Sequence, residues 1–178
     1  MDGPTAKTQR LFLALWPDAP CSHAIADLVQ QMDLPAGAAV YAPQDWHVTL
    51  HFLGSVGADR MPDLESLDVT MSPVTVTLDQ LWLWPRGLLV LAASVVPEEL
   101  SELHARLEQR LKAMGLKTQE EAYRPHLTLA RKVGQPRLPD RIPHIQFIAD
   151  RFALVASTGH APQRYQCVRW LGARESGE

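Results

Sequence analysis

A tetrad of the form His-apolar-Thr-Leu occurs twice in this chain, as His47-Val48-Thr49-Leu50 and as His126-Leu127-Thr128-Leu129. Residues two apart in an extended strand share a face. Each tetrad therefore presents an imidazole and a hydroxyl on one side and sends two aliphatic side chains into a core on the other. One such histidine alone is weak evidence of function, because a half-buried imidazole often makes only a structural hydrogen bond. Two copies require a fold that accommodates the same strand design twice.

The surroundings repeat as well. Ahead of His47 lies an apolar run over residues 11–15, then Pro20 opens a segment with Ile25, Leu28, Val29 and Met32 at helical spacing. Ahead of His126 lies a second apolar run over residues 88–93, followed by Pro97 with Glu98 and Glu99 in a first helical turn. Leu100, Leu103, Leu107, Leu111 and Met114 then form one stripe, and Gly115 is placed to stop the helix. Leu11 precedes His47 by 36 positions and Leu89 precedes His126 by 37, so order and spacing agree. The pattern reads as strand, helix, tetrad strand in approximate repeats over residues 10–56 and 87–133. It predicts one domain over residues 1–178 made of two duplicated lobes. The fold class is α+β: two pseudo-symmetric lobes, each an antiparallel sheet with outer helices, around a central cleft that both tetrads face.

Other segments complete the expectation. Residues 74–84 alternate as a strand, Pro85-Arg86-Gly87 makes a turn, and residues 88–93 return antiparallel, joining the halves through a hairpin. Residues 145–157 and 164–171 read as two further strands around a loop over residues 158–162. Residues 59–67 suggest a short helix, and the proline-rich, basic stretch over residues 133–144 a surface loop.

Composition narrows the function classes. A formal net charge of −3 argues against a protein that coats nucleic acid through a broad basic face, so any nucleic acid is met locally. Arg124, Arg131, Lys132, Arg137 and Arg141 make the segment after the second tetrad locally positive and suited to phosphates. Cys21 and Cys167 are too few and too far apart for a disulfide framework or a four-thiolate zinc site, which predicts a reducing compartment and buried thiols. The Met1-Asp2-Gly3-Pro4 start lacks a signal-like apolar core and no run approaches membrane-spanning length, so the expectation is a cytoplasmic protein with no membrane association. No obligate protein partner is implied.

Two imidazoles and two hydroxyls facing one cleft suit phosphodiester displacement. One base takes a proton from the attacking oxygen and one acid gives a proton to the leaving oxygen, on opposite sides of phosphorus. Two histidines serve near neutral pH, one neutral and one charged. The threonine hydroxyls, each about 7 Å along its strand from its histidine, can donate to non-bridging oxygens. No metal is required, and the strain of a 2′,3′-cyclic phosphate suits a site without a Lewis acid.

The paired tetrads resemble those of the two-histidine phosphoesterases. The stretches Arg10-Leu11-Phe12-Leu13-Ala14-Leu15, residues 47–54, residues 124–131 and Arg164-Tyr165-x-Cys167 look like the bacterial RNA 2′,3′-cyclic phosphodiesterase branch, once named 2′-5′ RNA ligases. The resemblance runs from about Arg10 to Leu171. It implies that His47 is the proton donor and His126 the proton acceptor. It further implies water attack yielding a 2′-phosphomonoester without metal or cofactor, on RNA or nucleotide ends bearing a 2′,3′-cyclic phosphate. Weak reverse 2′-5′ ligation would use the same proton transfers. Arg131 matches an arginine that often follows the second tetrad in this branch, although strict alternation points it away from His126.

The remaining histidines carry no expected role. His51 shares the face of His47 only if the strand is regular, and at about 13 Å along the strand the two cannot chelate one zinc. His104 falls in the second helix, and His23, His144 and His160 in helical or loop context, all expected at the surface. The alternative to an enzyme is a binding module that holds a nucleotide or RNA end in the same cleft without turnover. A third reading is a purely structural α+β domain.

Overall fold

Alternation along the first strand, β1 (Thr8–Leu15), puts Leu11, Leu13 and Leu15 on one face and Phe12 and Ala14 on the other, and both faces are buried. This computed structural model describes residues 7–160 and 162–173; the Met1-Asp2-Gly3-Pro4 start and Ala161 of the expected 158–162 loop lie outside the described residues. After β1 the chain runs through α1 (Ala19–Gln30), β2 (Ala39–Val40), β3 (Val48–Gly57), α2 (Met61–Glu65), β4 (Val74–Leu78) and β5 (Gln80–Trp84). It continues through β6 (Leu88–Ala92), α3 (Glu98–Ala113), β7 (His126–Arg131), β8 (Ile145–Ala149), β9 (Phe152–Ser157) and β10 (Tyr165–Leu171).

The helices form where the apolar spacing places them. In α1 the Asp18 carboxylate accepts from the Cys21 amide at 2.9 Å, and Cys21, Ile25 and Leu28 are buried. In α3 the leucines at 100, 103, 107 and 111 are fully buried. Its end is a Schellman motif: Gly115 at φ 74°, its amide on the Lys112 carbonyl and the Leu116 amide on the Leu111 carbonyl.

Two four-stranded sheets result, in the orders β10-β9-β1-β3 and β2-β7-β6-β5, together with a two-stranded ribbon β4-β8. All pairings are antiparallel. In each sheet the tetrad strand pairs with the strand that precedes its helix. The lobes are nevertheless not contiguous halves of the chain. The sheet holding the first tetrad recruits β9 and β10 from the C-terminal end, and β2, from the first half, pairs with β7. One buried cluster runs through both sheets, α1 and α3.

Two expected single strands are each broken in two. Residues 74–84 divide at Asp79, whose carboxylate accepts from the Ser94 amide at 2.8 Å and hydroxyl at 2.6 Å, so β4 joins the ribbon while β5 pairs with β6. Residues 145–157 divide at Asp150 and Arg151, with β8 in the ribbon and β9 beside β1. The turn at residues 85–87 is present, with Arg86 and Gly87 at φ 65° and 70°. A Cβ on Gly87 would lie 2.5 Å from the Val133 carbonyl oxygen, so no other residue fits there. The stretch over residues 133–144 is irregular but tied down: Val133 is buried and Asp33 and Arg137 exchange backbone hydrogen bonds of 3.0 Å. Cys21 is buried as expected, which pushes its thiol up to about 12, whereas Cys167 is exposed because among the described residues nothing covers its face of β10, a strand with no fully buried side chain. No helix among the described residues is long and apolar enough to cross a membrane.

Matching bulges distinguish the tetrad strands. Ala14 lies opposite Thr49 and Leu13 opposite His51, leaving Leu50 as the extra residue; Val90 lies opposite Thr128 and Leu89 opposite Ala130, leaving Leu129 extra. The fourth residue of each tetrad is therefore a bulge. This register equates Leu13, not Leu11, with Leu89, so the corresponding spacings to the histidines are 34 and 37 residues.

Candidate active site

Each catalytic candidate is held by its own chain two residues upstream. A short 3-10 turn (Pro43–Asp45) brings the Asp45 carbonyl to 2.7 Å from His47 Nδ1, and the Arg124 carbonyl lies 2.7 Å from His126 Nδ1. A carbonyl only accepts, so in both rings Nδ1 carries the hydrogen and Nε2 is left free. The same tautomer is thus set by the same local device in both lobes.

The four expected side chains meet. His47, Thr49, His126 and Thr128 line one cavity of about 350 Å³, together with Arg10, Phe12, Tyr41, Phe52, Arg131 and Tyr165. The bulges decide which residues beyond each tetrad face the cleft. After the threonines, two successive residues turn inward: Leu50 with His51, and Leu129 with Ala130. The residues after those, Phe52 and Arg131, then return to the face of the histidines. Arg131 therefore reaches the cleft although strict alternation points it away.

His51 departs from the regular-strand expectation. It is 1% exposed on the core side, its Nε2 donating to the His104 carbonyl at 2.9 Å. Its ring stacks on His104 at 3.9 Å, and His104 stacks on Tyr123 at 4.1 Å. His104 is therefore half-buried rather than a surface residue, while His23, His144 and His160 are exposed as expected. Of the basic cluster only Arg131 lines the cleft; Arg124 borders a neighbouring cavity, and Lys132, Arg137 and Arg141 line neither. Arg10 supplies the second cation.

The two rings have different surroundings. His47 is packed by Phe12 and Tyr165 at 4.8 Å each and stacked on Trp16 at 5.1 Å. Burial pushes it down to about 4, with the Asp45 carbonyl opposing and the nearby His126 charge adding to the fall. His126 touches Trp84 at 4.4 Å and is also lowered by burial, with the Arg124 carbonyl opposing. Asp45 is itself buried, its carboxylate 3.6 Å from Arg164 Nε. Burial raises the Asp45 carboxyl and Arg164 partly offsets this. The guanidinium groups of Arg131 and Arg164 lie 5.7 and 5.0 Å from the Tyr41 ring centre.

Sequence reasoning assigned no role to Arg10, Phe12, Phe52, Tyr41 or Tyr165. Arg10, Phe12, Phe52 and Tyr165 sit in stretches that carried the family resemblance, so position relative to the motifs was the available signal. Tyr41 had none. Among the described residues no group of three or more His, Cys, Asp or Glu side chains is arranged to hold a metal ion.

Antiparallel sheets that bring two matched His/Thr pairs to one cleft define the two-histidine phosphoesterase class. Within it, the chain belongs to the 2′-5′ RNA ligase superfamily, whose sequence model matches residues 16–161. It is 27% identical over 138 residues to the RNA 2′,3′-cyclic phosphodiesterase of Methanocaldococcus jannaschii, covering 75% of this chain and 79% of the relative. It is 26% identical over 137 residues to that of Archaeoglobus fulgidus, covering 74% and 77%. Its fold matches crystalline Escherichia coli LigT, complexed with 3′-AMP, with a TM-score of 0.82 at 24% identity, covering 95% of this chain and 100% of that one.

Proposed function

We propose that this protein opens 2′,3′-cyclic phosphate ends of RNA to 2′-phosphomonoesters, without a metal, using His47 and His126 as the proton-transfer pair. The observation that carries the reading is the twofold repetition of one device: Nδ1 pinned to the carbonyl two residues back, Nε2 free, and a threonine hydroxyl beside it, twice around one cleft. The names of the archaeal relatives support the reaction class.

In this mechanism water attacks phosphorus and the P–O3′ bond breaks. His126 takes the proton of the attacking water and His47 delivers a proton to O3′. Thr49 and Thr128 donate to the non-bridging oxygens, where charge accumulates, and Arg131 and Arg10 hold the phosphate and the strand leading to it. Burial drains proton affinity more strongly from His47, so in the empty cleft His126 is the ring that holds a proton more readily. The negative charge of a bound phosphodiester raises both rings, and the donor role of His47 depends on that charge. With a 5′-hydroxyl in place of water, the same two transfers form a 2′-5′ bond.

Product analysis after incubation in EDTA with an oligoribonucleotide ending in 2′,3′-cyclic phosphate tests this reading. The expected result is a 2′-phosphate from the parent protein and none from His47→Ala or His126→Ala. Tight binding of the cyclic end without turnover would make the protein a binding module instead.

A further inference from the structure

A second cavity, of about 480 Å³, opens beside the cleft and shares Thr49, Phe52 and His126 with it. His47 does not line it, so it is reached from the His126 end of the pair alone. Its other walls include Trp84, Pro85 and Tyr123, and Gln119, Glu121 and Arg124 supply polar groups. The aromatic walls are braced: the Tyr123 hydroxyl donates to the Thr49 carbonyl at 3.2 Å while its ring stacks on His104, and Trp84 lies against His126 at 4.4 Å. The Tyr123 hydrogen bond thus ties this wall to the tetrad strand itself.

Charge separates the two cavities. Among the described residues the cleft is lined by Arg10 and Arg131 and by no carboxylate, whereas Glu121 balances Arg124 in the second cavity. Phosphates belong in the first. Flat apolar walls with one amide and one carboxylate suit an uncharged heterocycle that stacks and offers exocyclic donors, which is the chemistry of a nucleobase. The volume lies within the range of small-ligand sites.

We propose that this cavity is a nucleobase subsite for the nucleoside on the nucleophile's side of the reacting phosphorus. The inference rests on the reading that His126 faces the attacking oxygen. A nucleoside seated there directs its 5′-hydroxyl at phosphorus: the P–O5′ bond forms as His126 takes the hydroxyl proton, and P–O3′ breaks as O3′ takes a proton from His47. The product is a 2′-5′ diester, and the atoms balance without another reactant. The protein would then recognise two nucleosides, one on each side of the phosphorus.

The test uses adenosine, which has a free 5′-hydroxyl and no phosphate, titrated into protein saturated with 2′-AMP. The expected result is a ternary complex in which adenosine binds without displacing 2′-AMP. Trp84→Ala should weaken adenosine by roughly tenfold or more, the loss of one stacked base, and Glu121→Gln, at an exposed position, should weaken it less. With 2′,3′-cyclic AMP and adenosine together, the ratio of 2′-5′ dinucleotide to 2′-AMP should fall by the same factor in Trp84→Ala. That ratio cancels any general damage to His126. Competition between adenosine and 2′-AMP would overturn the subsite. So would a rate advantage of a dinucleotide cyclic phosphate over the mononucleotide that vanishes in Trp84→Ala, since the cavity would then hold the upstream base. Ring opening by the parent protein is scored in the same samples. Its absence would sink the catalytic reading, whereas ring opening without a second adenosine site would sink only the subsite.

Discussion

The two tetrads share a backbone design and differ in what surrounds it. Both histidines bond the carbonyl two residues upstream, both strands bulge at the fourth tetrad residue, and both then bury the next side chain. Around that frame His47 is packed by three aromatic rings and backed by the Asp45–Arg164 pair, while His126 meets one tryptophan and borders two cavities. Identical local geometry therefore presents two rings of unequal proton affinity. Burial, rather than a difference in the motif, sets that inequality. In the empty cleft it runs against the proposed donor role of His47, which is why that role depends on the charge of the bound phosphate.

The strongest way to break the comparison is to remove either ring. His47→Ala and His126→Ala should each lower turnover by about 10²- to 10⁴-fold, with thermal unfolding nearly unchanged because both positions are only partly buried. The double variant should lose little more than the worse single one, since the two act as a unit. If one variant retained near-parental turnover, the two-histidine mechanism would fail.

Thr49→Val against Thr128→Val asks whether the hydroxyls are as matched as the backbone. Each should cost about 10²-fold in kcat if each donates to the same phosphate. A loss at only one position would show that the phosphate leans toward one lobe.

A smaller and more selective effect should come from the aromatic surroundings. Trp16→Leu relieves the burial of His47, so its pKa should rise from about 4 toward the ordinary 6.5, as read by titration of the ring signals by NMR. Both rings titrate low in the free protein, so kcat/KM should peak on the acid side of pH 6.5. The kcat optimum should lie at higher pH, because bound phosphate favours the protonated rings. Coincident profiles would contradict that account of how His47 acquires its proton.

The smallest effect concerns the stacked His51–His104 pair behind the first tetrad. Burial lowers His51 and pushes His104 down to about 4, so the unfolded chain binds protons that the folded one refuses as pH falls from about 6.5. Stability should therefore decline through that window, and a urea series should show a shallower decline in His104→Gln than in the parent. An equal slope in the two proteins would remove the pair from the acid response.

The tetrads, α1 and α3 with the Gly115 stop, and the hairpin turn at residues 85–87 were legible in the chain because each depends on periodicity or on residues a few positions apart. Thr49 and Thr128 could be paired with their histidines from the two-residue repeat alone. Arg131 and His51 could not be placed. Each bulge turns two successive residues inward and so reverses the alternation beyond it, and an inward histidine or alanine does not betray that break in the sequence. The breaks at Asp79 and Asp150 were hidden for a related reason: apolar residues resume two positions beyond each aspartate while the hydrogen-bonding partner changes.

By itself, the sequence determined that two strands of one design exist and that each offers an imidazole and a hydroxyl on one face. Only the tertiary structure decided that these faces meet, that the lobes exchange strands, and that aromatic side chains from β1, β10 and the segment after β1 enclose one histidine and not the other. The physical reason is that burial and proton affinity are set by neighbours remote in the chain, such as Tyr165 against His47, and local pattern carries no record of them.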